Sequence, residues 1–207
     1  MNTNEILKFI EQTIHSVIIA TVDDNGLPIT CAIDIMDSDE KGLYFLTAKG
    51  KGFYDRLKKN GYAALTGMKG NDTLSCVAVS IRGKVQEIGN APLQRLFTKN
   101  PYMEEIYPTK ESRSALTVFR IYDGCGEWFD LSKKPIERES FSIGNGIKTV
   151  DGYYITDKCN DCKKCIEACP QGCIDFTSGY ARIIQRSCLH CGNCFNICPE
   201  KAVVKRG

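Results

Sequence analysis

Nine of the twelve cysteines lie between Cys159 and Cys198, while Cys31, Cys76 and Cys125 are scattered singly through the rest of the chain. Eight of the nine fall into two runs of the same form: Cys159, Cys162, Cys165 and Cys169-Pro170, then Cys188, Cys191, Cys194 and Cys198-Pro199. Three thiolates spaced two residues apart can wrap one iron–sulfur cubane from a single tight loop, and the fourth, three residues further on, reaches a second cubane. Soft sulfur ligands suit such clusters, and the N–H groups of a tight loop can hydrogen-bond cluster sulfurs. The spacing therefore predicts two [4Fe–4S] clusters with crossed ligand sets. Cys159, Cys162, Cys165 and Cys198 hold one; Cys188, Cys191, Cys194 and Cys169 hold the other. Zinc also takes Cys-x-x-Cys pairs, but four ligands complete its site and the repeated Cys-Pro is left without a role.

Ile166, Ile174, Ile183, Ile197 and Val203 are expected to form a small apolar shell around the cubanes. Cys173, the ninth cysteine, is an alternative ligand to Cys169, but the proline after Cys169 favours that thiol, and Cys173 then reads as a small buried residue. His190, inside the second run, reads as a surface residue or a neighbour of the ligands. This stretch resembles the bacterial two-cluster ferredoxin family over essentially its whole length.

A second chemistry is suggested by Thr47-Ala-Lys49-Gly-Lys51-Gly52. Here two lysines sit beside glycines at a turn that opens a helix, where free N–H groups and positive charge favour a phosphate. Two solvated lysines are the plainer alternative. Arg82 and Lys84 alternate around Gly83 on a strand, as a further anionic contact or as a water-facing pair.

The elements that must position these residues are mostly short β-branched and aromatic runs separated by turn signals. Val17–Asp23, the turn Asp24-Asn-Gly26, and Ile29–Met36 read as a hairpin. Further strands are predicted at Leu43–Ala48, Tyr62–Met68, Thr73–Ile88 and Ala115–Tyr122, with a last one at Gly126–Leu131. Helical spacing fits Asn4–Thr13, Gly52–Lys59 and Ala91–Lys99. Many short antiparallel strands with few helices imply a closed or nearly closed barrel, since an open sheet would expose its edges. The Gly-rich stretch Ser142–Ile147 reads as a connector. The expected organisation is a barrel over residues 1–140, a linker over 141–152 and a cysteine module over 153–207.

Leu27-Pro-Ile-Thr-Cys-Ala32, Leu43–Tyr54, Leu57-Lys-Lys-Asn60, Ile81-Arg-Gly-Lys-Val85 and Gly126-Glu-Trp-Phe129, in that order, resemble the pyridoxamine 5′-phosphate oxidase-like flavin-binding split barrel. The resemblance implies a mainly antiparallel β split barrel with a few helices, joined to a small C-terminal α+β ferredoxin domain. It also implies FMN bound at a homodimer interface. Thr47, Lys49 and Lys51 match that family's phosphate-contacting strand end and helix start. Thr30 and Ile33 match the strand facing the isoalloxazine edge, Arg82 a further anionic contact, and Trp128 a position that can reach the flavin across the dimer. Cys31 and Asp34 stand in the region where the true oxidase carries a phosphate-binding arginine and lysine, which argues against pyridoxamine phosphate as substrate. No Ser/His/Asp or Cys/His catalytic set is found, and His15, Cys31, Cys76 and Cys125 read as structural.

A formal charge of +2 gives no reason to expect nucleic acid or an acidic membrane as partner. Met1–Ile14 mixes charged and apolar residues, unlike a signal peptide, and Val17–Val22 is too short to span a bilayer. The expected setting is a reducing cytoplasm, where this many thiols are not disulfides. The parts predict an iron–sulfur flavoprotein that passes electrons between two clusters and FMN to reduce or oxidise a small substrate, with an external low-potential donor or acceptor. Alternatives are a non-catalytic electron carrier or redox sensor on a flavin-binding dimerisation barrel, or a barrel that takes haem or a deazaflavin.

Overall fold

The structure is a computed structural model of the 207-residue chain, described for residues 1–148, 151–176 and 180–207. Two residues of the expected linker, 149 and 150, lie outside the described residues. The chain divides into two compact units. The first comprises Met1–Lys69, Ala78–Glu127 and Phe141–Lys148; the second comprises Gly70–Val77, Trp128–Ser140 and Thr149–Gly207.

Eight strands form one sheet: β1 (Ser16–Val22), β2 (Pro28–Asp34), β3 (Asp37–Asp39), β4 (Gly42–Ala48), β5 (Tyr62–Lys69), β6 (Val77–Gly89), β7 (Leu116–Asp130) and β8 (Glu137–Ile143). Their order is β2-β1-β5-β6-β7-β4-β3, with β8 on β7. Helices α1 (Thr3–Phe9, continued by a π-helical turn Ile10–Ile14), α2 (Gly52–Asn60), α3 (Leu93–Lys99), α4 (Met103–Ile106) and α5 (Lys110–Arg113) complete the set. The barrel core follows from strand alternation: β1 buries Val17, Ile19 and Thr21. Phe45 stacks on Phe119 at 5.9 Å and meets Phe53 of α2 at 6.0 Å. Each of these aromatics removes a large apolar area from water and so helps hold the barrel together.

Two expectations change in the structure. Thr73–Ser75 is a 3-10 turn, not strand, because Asp72 caps it by accepting from the Ser75 N–H at 2.8 Å. Ala115–Tyr122 and Gly126–Leu131, read as two strands, are one long strand, β7. The glycines between them permit close approach to β6 instead of breaking the strand: a Cβ on Gly124 would lie 2.3 Å from the Arg82 carbonyl oxygen. Ser142 and Ile143, read as connector, end β8, and the turn follows at Gly144.

Among the described residues β2 and β3 end the sheet order, and the gap between them matters: β2 pairs with β1, and β3 pairs with Gly42–Tyr44 of β4. Among the described residues Leu46–Ala48 therefore have a ladder partner on one side, the β7 side.

In the second unit, β9 (Gly152–Ile155) pairs with β12 (Val203–Arg206), and β10 (Ile174–Asp175) pairs with β11 (Arg182–Ile183), all antiparallel. Helices α6 (Lys164–Glu167) and α7 (Asn193–Ile197) each follow one cysteine loop. The repeat in sequence is thus a repeat in structure: strand, cysteine loop, short helix, Cys-Pro, strand.

Candidate cluster and cofactor sites

The two cysteine loops fold alike because the same positions take left-handed backbone. Asp161 (φ 61°) and Lys163 (φ 62°) correspond to His190 (φ 56°) and Gly192 (φ 81°). Non-glycine residues adopt this region at a cost of about 1–2 kcal/mol. The reversals turn successive thiols inward and aim N–H groups at sulfur, the arrangement of an anion-binding nest. His190 N–H donates to Cys188 Sγ at 3.4 Å.

The structure gathers Cys159, Cys162, Cys165 and Cys198 around one cavity, and Cys169, Cys188, Cys191 and Cys194 around another. Each set takes three thiols from one run and the Cys-Pro thiol from the other. Within these sets the thiols surround open space. Among the described residues no three His, Cys, Asp or Glu side chains converge on a single-ion position. A polynuclear cluster suits that arrangement; a lone zinc needs four ligands within roughly 2.3 Å of one point. Ile174, Ile183 and Val203 pack as expected, with Ile166 partly buried beside them, whereas Ile197 is exposed. The thiols differ in their readiness to ionise. A hydrogen bond from Cys173 holds the Cys188 thiol below its ordinary range, while burial raises Cys194 to about 11 and also raises Cys165. Cluster ligands bind as thiolates, so the cysteine loops release protons on assembly.

In the first unit the gap between β2 and the far half of β4 opens into a cleft of about 430 Å³, within the roughly 300–1,000 Å³ usual for ligand pockets. Cys31–Asp34 of β2 form one wall and Leu46–Ala48 of β4 another, and Met103 and Ile106 of α4 also line it. Thr47 and Lys51 both line the cleft. Thr47 is 5% exposed, and its Oγ1 has no hydrogen-bond partner among the described residues. A buried hydroxyl without a partner costs about 1–3 kcal/mol, so it points to a group that binds there. Lys51 is the N-cap of α2 and supplies no side-chain cap, which leaves the helix start open to an anion. Orphaned hydroxyl, lysine and open helix end fit a phosphorylated flavin. Lys49 lies exposed on the adjoining turn. Ile33 lines the cleft, but Thr30, Arg82 and Trp128 do not. Thr30 and Arg82 are exposed on β2 and β6, and Trp128 is buried in the second unit.

Sequence reasoning missed a polar chain at the cleft wall. Asp34 Oδ1 accepts from Ser16 Oγ at 2.6 Å, and Asp34 Oδ2 accepts from Tyr102 Oη at 2.7 Å. His15 Nε2 lies 2.9 Å from the same Tyr102 oxygen. Burial pushes the Asp34 carboxyl up, but the hydrogen bonds from Ser16 and Tyr102 and the nearby His15 outweigh it and hold Asp34 below the usual range. Burial and Asp34 together raise the Tyr102 phenol. The backbone of His15 has φ 62°, so the ring is held at a conformational cost. A lone histidine after a helix was the only sequence signal, and its partners lie up to 87 residues away.

Residues 3–122 match the family described as pyridoxamine 5′-phosphate oxidase. The chain belongs to that family. Its residues 158–202 match the 4Fe–4S dicluster domain, so the chain joins an oxidase-family barrel to a dicluster ferredoxin domain and is an iron–sulfur electron-transfer protein. A solved family structure from Clostridium acetobutylicum, described as related to general stress protein 26, superposes with a TM-score of 0.54. It is 20% identical and covers 67% of this chain and 92% of its own, a likeness that shows the split-barrel fold. The cysteine module is 48% identical over 48 residues to a component of an ion-translocating oxidoreductase complex from Methanosarcina acetivorans, over 23% of this chain and 18% of that one. It is 41% identical over 56 residues to the PorD component of pyruvate synthase from Methanothermobacter marburgensis, over 27% of this chain and 65% of that one. The chain thus spans less than two thirds of either relative. Among the described residues of this family member, no helix is long and apolar enough to cross a membrane.

Proposed function

We propose that the protein is an iron–sulfur flavoprotein: two [4Fe–4S] clusters in the cysteine module exchange electrons with FMN in the barrel cleft, and a small substrate is reduced or oxidised there. The observation that carries the flavin reading is the buried, unpartnered Thr47 hydroxyl at the open N-terminus of α2, with Lys51 beside it. Thr47, Lys51 and the α2 N–H groups would hold the phosphate, with Lys49 on the adjoining turn adding positive charge. Bound FMN supplies exchange between single electrons and electron pairs. Cys31–Asp34, Leu46–Ala48 and Met103 line the rest of the cleft and would bound the flavin there. Asp34, Tyr102 and His15 form a hydrogen-bonded chain at the wall through which a proton can move.

The same chain is proposed to be a homodimer. The outward face of β1 and β5 carries Ile18, Val22, Tyr62 and Met68, which are 52%, 40%, 47% and 63% exposed. A solvated antiparallel sheet face normally alternates to polar residues, and a contiguous apolar face marks an interface. Strand β2, with Thr30, extends that face and is exposed along most of its length. A second copy covering it would bring Thr30 under a partner. The relatives' printed roles, as components of an oxidoreductase complex and of pyruvate synthase, support an external electron partner for the module. A cytoplasmic setting is proposed on the thiol content alone.

The test is an anaerobic absorbance spectrum of the full chain with iron assay and cofactor release. The reading expects about eight irons per chain and one FMN. Iron without flavin overturns the flavin reading and leaves an electron carrier on a barrel scaffold. Released haem or deazaflavin assigns the cleft to that group instead.

A further inference from the structure

The two Cys-Pro segments match residue for residue. Cys169-Pro-Gln-Gly-Cys173-Ile174 aligns with Cys198-Pro-Glu-Lys-Ala202-Val203. Gly172 (φ 58°) and Lys201 (φ 49°) turn the chain identically. The N–H of Cys173 then donates to Cys169 Sγ at 3.4 Å, as the N–H of Ala202 donates to Cys198 Sγ at 3.3 Å. The side chains differ. Cys173 Sγ lies 3.4 Å from Cys169 Sγ and also hydrogen-bonds Cys188. It is 3% exposed and stands in the wall of the second cavity, whereas the first cavity has only the Ala202 methyl at that place.

We propose that Cys173 is a thiol donor to the Cys169 and Cys188 sulfurs, and that it sets the cluster held by Cys169, Cys188, Cys191 and Cys194 at a higher reduction potential than its neighbour. The inference rests on the ligand sets proposed above. Reduction brings in one electron from an external donor, which loses one, and no proton; the added negative charge is shared by the thiolate sulfurs. An S–H aimed at those sulfurs stabilises the more negative state, and a methyl group does not. Cys173 is a positioning and tuning residue rather than a ligand. Ala202 shows that the loop closes onto its remote thiol with no side-chain sulfur at that position. Electrons entering the module therefore populate the second cluster first.

The experiment is a potentiometric titration followed by EPR on the full-length, anaerobically prepared protein, after iron has been counted. Wild type is expected to show two separated midpoints. Cys173→Ala, which copies the residue of the other half, is expected to keep the iron and to move only the higher midpoint downward. Cys173→Ser, which keeps an O–H donor, is expected to retain part of the separation. Ala202→Cys is expected to raise the other midpoint. Unchanged midpoints in Cys173→Ala, or an equal shift of both, overturn the inference. Loss of half the iron in that variant also overturns it, by making Cys173 a ligand. Wild type without iron is a different failure, that of the cluster reading itself, and the iron count exposes it before any titration.

Discussion

Replacing Thr47 by Val should change stability and cofactor binding in opposite directions. Thr47 Oγ1 is buried and has no partner among the described residues. The flavin-free barrel therefore carries a desolvated hydroxyl, which costs about 1–3 kcal/mol, and valine has nearly the same shape without it. For a chain of this size each kcal/mol moves the melting temperature by roughly 2–4 °C, so the flavin-free variant should melt roughly 2–12 °C higher than wild type. If the hydroxyl serves the phosphate, its bond to a charged group is worth about 1.5–3 kcal/mol. At about 1.4 kcal/mol per tenfold, FMN affinity should fall about ten- to hundredfold. The assay is thermal unfolding of the flavin-stripped, cluster-loaded chain, beside a titration with FMN followed by quenching of flavin fluorescence. A variant that melts lower without flavin and binds FMN as wild type does would refute the reasoning, because the hydroxyl would then be satisfied inside the protein.

Cys159→Ser and Cys198→Ser should each lower iron from about eight to about four per chain, and the double variant should lose no more than either alone. Pairing Cys159→Ser with Cys188→Ser should remove both clusters. Ile18→Lys, on the uncovered sheet face, should give a monomer by sedimentation velocity without loss of iron. Glu87 accepts from Lys58 Nζ at 2.8 Å and from Thr117 Oγ1 at 2.7 Å. The Lys58 hydrogen bond, chiefly, holds its carboxyl below the ordinary range. A depressed folded pKa adds stability above the unfolded value of about 4.3 and loses it as pH falls through the folded one. Glu87→Gln should therefore lower the urea midpoint at pH 7, and the deficit should shrink in acid below about pH 4.

The cysteine loops were legible because their geometry is local. A three-thiol loop closes within seven residues, Cys159 to Cys165, and its left-handed turns at Asp161 and Lys163 need nothing beyond the loop. The lysine-glycine turn before α2 was legible for the same reason. Most barrel strands also followed from alternation, but β3 and β8 did not, Thr73–Ser75 formed a 3-10 turn, and the strands read before and after Gly124 are one long strand pressed against β6.

Sequence by itself determined the residue chemistry and the strand pattern of this protein: the repeated cysteine runs, the alternating barrel strands and the basic turn at a helix start. Only the tertiary structure decided that β3 stops short on β4, so that Thr47 loses a ladder neighbour and gains a cleft. It also joined His15 to Tyr102 and Asp34, and Cys173 to Cys188. The physical reason is distance along the chain. A turn or loop is fixed by neighbours a few residues away, whereas a cleft wall or a sulfur contact between two loops exists only after the sheet and the repeat have folded back on themselves.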